Sequence, residues 1–158
     1  MPDESAGYWS ALEPFWDHVN IYDGPELFLA TYRGLPQIQR VLYAAHYCES
    51  EVSNGGLHQF FFNDTGVLAP EALEAFRILS LEASGHILAE AMSFFGDVYP
   101  RDRATRVERL AGIVGEGRED WDPFFQLDDR FYESLGTGHR KLFDRLDTFA
   151  KDASIDAG

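Results

Sequence analysis

Histidines and carboxylates at helical spacing are the residues of this chain best suited to chemistry. His46 and Glu49 lie three apart, and Glu82, His86 and Glu90 recur every four residues along one helix face. Such sets can hold zinc or a di-metal centre. The pattern is incomplete, because the chain has no Glu-x-x-His pair, no His-Glu-x-x-His and no Cys-x-x-Cys. No metal or other cofactor is expected. His86 reads as a surface ion-pair or capping residue, and His46 as a half-buried aromatic. The single cysteine, Cys48, excludes an internal disulfide, and Glu49 and Glu51 beside it oppose a reactive thiolate. No Gly-x-Ser-x-Gly elbow occurs. Asp128 and Asp129 offer an acid pair, but neighbours on a helix point in different directions. The chain therefore reads as non-enzymatic, with a metal-dependent enzyme using His46, His86, Glu82 or Glu90 as the catalytic alternative.

A second constellation is polar and structural. In residues 51–66 an apolar helical pattern meets Asn54-Gly55-Gly56 and then the aromatic run Phe60-Phe61-Phe62. Asn and Gly suit the left-handed backbone that closes a helix. A short helix, Leu57 to Phe62, is expected to leave the break at a sharp angle, its first amides lacking helical partners. Glu51, one turn before the break, is in reach of those amides. Gln59 and Asn63 share one face. Glu51, Asn54, Gln59 and Asn63 are expected to form a polar brace between the two helices. The three phenylalanines cannot all face one way, so at least one turns to a partner or another element. The glycines read as a packing corner rather than a phosphate cradle: a Walker-type loop would need Lys-Ser/Thr where Leu57-His58 stands.

Charge is the third signal. The 158 residues carry 27 Asp and Glu against 13 Lys and Arg, a net charge of -14. Residues 116–133 hold Glu116, Glu119, Asp120, Asp122, Asp128, Asp129 and Glu133 against Arg118 and Arg130. The bases gather at Arg101, Arg103, Arg106 and Arg109, and at Arg140, Lys141 and Arg145. Such a surface repels nucleic acid and anionic membranes and attracts basic proteins. Trp121 and Phe124-Phe125 beside the acids supply the aromatic anchors that interfaces favour.

The elements that must position these groups read as helices nearly throughout. Ile38, Val41, Leu42, Ala45 and Val52 mark a long helix after Pro36, and Pro70 opens another through Leu73, Phe76 and Leu79. Ala83–Phe95, Val107–Val114 and Leu142–Ala150 carry further stripes, and near the start a helix is expected from Pro14. Gly24-Pro25, Gly34-Leu35-Pro36 and Gly115-Glu116-Gly117 read as hinges or caps. A single all-α domain is expected over 1–158, with 153–158 frayed. The chain shows neither a signal peptide nor a spanning segment, so cytoplasm is the expected compartment.

The pattern Glu51, Asn54, Gly55, Gly56, Gln59, Phe61, Asn63 and Gly66 resembles the DNA-mimic-protein-like domain family of bacteria. Leu35-Pro36 and the segment Phe124 to Tyr132 extend the resemblance over roughly 25–150. Leu57 departs from it where an aromatic is common, and Leu79-Ser80-Leu81 where an Ile-Gly-Ala junction is usual. The resemblance implies a dimeric helical domain whose acidic surface imitates duplex DNA and covers the DNA-binding face of a transcription regulator. Carboxylates four apart on a helix stand ~6 Å apart, near the spacing of phosphates on one strand. The acids of 116–133 named above are the expected partner-binding set. The expected partner is a basic DNA-binding protein or another basic protein. An immunity or antitoxin protein neutralising a basic nuclease is the alternative.

Overall fold

Prolines and glycines punctuate the chain before its longest element. The computed structural model describes residues 7–115, 117 and 121–157, and among these every regular element is helical. Helix α1 (Gly7–Leu12) passes into a 3-10 turn at Glu13–His18 with Pro14 in its first turn. Proline brings no amide donor, so it fits where no helical bond is due. The expected helix from Pro14 is thus this short turn, and an α-helix precedes it. Gly24, at φ 90°, and Pro25 open α2 (Pro25–Arg33). Nine residues give too few turns for a periodic stripe, so this helix was not foreseen.

Helix α3 (Gln37–Phe62) is the hub, with α1, α4 (Ala69–Ile78), α6 (Arg103–Val114), α7 (Phe125–Ser134) and α8 (Arg140–Ala157) packed on it. Helix α5 (Glu82–Met92) packs on α4 and α7. Buried Val41, Leu42, Ala45, Cys48 and Val52 follow the helical period. At Gly55 and Gly56 the helix breaks, with φ/ψ of -157°/18° and 81°/178°. The second value lies in a region that only glycine occupies without strain. The break turns Phe60 and Phe61 inward, both fully buried, while Phe62 is 39% exposed under the Arg103 guanidinium. The Phe61 ring lies 5.0 Å from Phe95 and 5.3 Å from Phe124. Burying each such ring contributes about 1.5–3 kcal/mol.

Helix α8 runs to Ala157. Among the described residues no helix is long and apolar enough to cross a membrane.

Candidate partner-binding surface

Two helical halves meeting at a glycine break need side chains to satisfy the polar groups the break releases. Glu51, at the end of the first half, ties side chains across the break. Its Oε2 accepts from Gln59 Nε2 at 2.8 Å and Asn63 Nδ2 at 3.1 Å, and its Oε1 accepts from Thr65 Oγ1 at 3.0 Å. The brace therefore joins Glu51, Gln59 and Asn63 as expected. Asn54 is exposed and takes no part, while Thr65, buried, is the added member. A lone threonine between Asn63 and an apolar stretch was the available signal.

The amide at the start of the second half is satisfied from elsewhere. Leu57 N donates to Asp128 Oδ1 at 2.8 Å, across to the first turn of α7. Glu51 does not reach that amide, because its oxygens are already committed to three side chains. Asp128 is only 9% exposed. Burial pushes its carboxyl up to about 6, with Asp122 and Asp129 adding to the rise and the Leu57 amide opposing it. The expectation that Asp128 belongs to an exposed phosphate-like row is corrected: it is buried, and its Oδ1 holds the corner together by accepting the Leu57 amide. Gly56 is fitted to it, since a Cβ there would stand 2.6 Å from Asp128 Oδ2.

Arg106 closes the far end of the corner. It is fully buried, and its guanidinium donates to Phe61 O at 2.9 Å, Asn63 O at 2.9 Å, Arg101 O at 2.5 Å and Pro100 O at 3.3 Å. Burial lowers its pKa from the ordinary arginine value. Gly66 lets the chain pass this group, because a Cβ would lie 2.8 Å from Arg106 Nε and 2.6 Å from Phe60 O. Its signal in sequence was a base on the same stripe as Leu110.

Arg101 is half-buried and Arg103 and Arg109 are exposed, but each also reaches a backbone carbonyl. Arg101 binds Val67 O and pairs with Glu71 at 2.7 Å, Arg103 binds Phe62 O, and Arg109 binds Phe95 O. Of Arg101, Arg103, Arg106 and Arg109 only Arg106 is buried, and the second basic group, Arg140, Lys141 and Arg145, is exposed. Of the partner-binding acids, Glu116, Glu119 and Asp120 lie outside the described residues. Asp122 accepts the Phe124 amide at 2.8 Å. Asp129 and Glu133 are exposed, four apart on α7, with no ion pair to a described residue. Beside them Phe125 is 67% and Trp121 42% exposed, whereas Phe124 is core.

The alternative chemistry finds no cluster: among the described residues, no three His, Cys, Asp or Glu side chains stand close enough for a metal ion. His46 sits among Tyr8, Trp9, Trp16 and Tyr47 rings, its Nδ1 3.1 Å from Tyr8 Oη. Burial lowers its pKa, which keeps the ring neutral. Glu49 instead meets Ser53 and His139, and Glu90 meets Arg130. Cys48 is buried and its thiol pushed up, first by burial and then by Glu49 and Glu51. His86 is exposed on α5.

The class defined here is an acidic all-helical domain, folded around a braced glycine corner, whose adjoining helix carries carboxylates with no ion pair to a described residue. The DMP19-like protein family matches residues 33–153, and the chain belongs to that family. No curated protein and no solved structure matches it.

Proposed function

We propose that this protein is a non-enzymatic, acidic protein-binding domain that occupies the basic DNA-binding surface of a transcription regulator, working as a homodimer. The observation that supports this reading is the hydrogen bonding of Arg101, Arg103, Arg106 and Arg109 to backbone carbonyls rather than to the acids of α7. It leaves Asp129 and Glu133 on α7 without a cation among the described residues. The protein repels DNA and attracts what DNA attracts. Exposed carboxylates ~6 Å apart along a helix match the charge interval a duplex-binding surface is built to meet. Exposed Phe125 and Trp121 give that contact an apolar anchor.

The test is capture from host extract on immobilised protein, followed by competition with duplex DNA. A captured DNA-binding protein that duplex DNA displaces supports the reading. Capture indifferent to DNA would refute mimicry. Sedimentation of the pure protein checks the dimer.

A further inference from the structure

The glycine corner and the acidic helix are neighbours, and a groove of about 250 Å³ runs between them. One wall is the end of the first half of α3, Ser53 to Gly56. The other is one face of α7, with Phe125, Asp128, Asp129 and Tyr132 at helical spacing. Two features favour a cation here. The carboxylate of Asp128 is nine-tenths buried and lines the groove, with Oδ1 bound to Leu57 N and no donor among the described residues on Oδ2. Asp129 adds a second, exposed carboxylate.

The walls favour a particular cation. Phe125 offers an exposed ring. Tyr132 is held rigidly, because its hydroxyl donates to Val52 O at 2.7 Å and its ring lies parallel to His139, 6.1 Å between centroids. A guanidinium is planar, stacks on aromatic rings and donates in a fork to a carboxylate, whereas an ammonium is a strongly hydrated point charge. We propose that this groove receives one arginine side chain of the basic partner, its guanidinium stacked between Phe125 and Tyr132 and bonded to Asp128 and Asp129. The proposal rests on the reading of the protein as a binder of basic surfaces. It adds that the contact includes one selective arginine seat beside a diffuse charge match.

The experiment titrates the full chain with N-acetyl-arginine amide and, separately, N-acetyl-lysine amide, following backbone amide resonances. The arginine compound is expected to shift Gly55, Gly56, Leu57 and Tyr132, and the lysine compound to bind about three- to thirtyfold more weakly. Phe125→Ala and Asp129→Asn alter exposed side chains outside the corner's hydrogen bonds, and each is expected to weaken the arginine response by a similar factor. Absence of shifts, or equal response to both compounds, overturns the seat. DNA-displaceable capture that Phe125→Ala and Asp129→Asn leave intact would sink the seat while mimicry stands. A selective arginine response without DNA-displaceable capture would sink mimicry while the seat stands.

Discussion

Glu51 shows how one carboxylate can clasp three side chains across a helix break. Three donors converge on it, so Glu51→Ala leaves Gln59, Asn63 and Thr65 seeking other partners. A loss of about 2–4 kcal/mol is expected in urea unfolding, since each stranded polar group costs about 1–3 kcal/mol. Asp128 acts differently. Its folded-state pKa of about 6 lies above the ordinary carboxylate value. The folded state therefore holds a proton that the unfolded chain has lost between pH ~4 and ~6. The stability this group contributes is full below that window and is lost as pH rises through 6. Asp128→Asn keeps an oxygen for the Leu57 amide and removes the titration. The variant is expected to show a flatter stability profile than the wild type between pH 4 and 7, read by urea midpoints at each pH.

At the level of the helices, the corner depends on close approaches at Gly56 and Gly66. Gly56→Ala forces a Cβ onto Asp128 Oδ2 and places alanine at φ 81°. Destabilisation of about 1–3 kcal/mol is expected from the backbone alone. Asp128→Ala should relieve part of the added clash, so a double-mutant cycle over Gly56 and Asp128 should be less than additive. Arg106 joins α6 to the end of α3 by donating to carbonyls that the helix termini leave open. Arg106→Met preserves bulk but strands these carbonyls. A loss of about 3–5 kcal/mol is expected in chemical unfolding, and Arg106→Lys should recover part of it.

Across the whole molecule, the acids of α7 and the arginines of α6 do not cancel each other. Folding ties Arg101, Arg103, Arg106 and Arg109 to backbone carbonyls, with Arg106 alone of them buried, and leaves Asp129 and Glu133 exposed on α7. Association with a basic partner is therefore expected to weaken with salt, log affinity falling linearly with log salt concentration as counterions are released. Replacing Asp129 and Glu133 with Asn and Gln should lower both the affinity and that slope, measured by titrating salt in a binding assay. An unchanged slope would place the contact on another face.

Several things were readable before folding. Long apolar stripes at helical period gave α3, α4, α5, α6 and α8, because such helices present whole turns of pattern. The glycine break and three members of the brace followed from backbone freedom and i to i+4 geometry, which are local rules. Short α2 and the 3-10 turns carry too little pattern to show. The role of Asp128 was hidden for a different reason: its bond to Leu57 spans 71 positions, and only packing of α7 on α3 brings the two together. The same holds for Arg106, whose carbonyl partners sit 43 and 45 residues away. Periodicity reports which face of a helix is apolar. Which charge that face buries, and which it leaves to solvent, is decided when two helices meet.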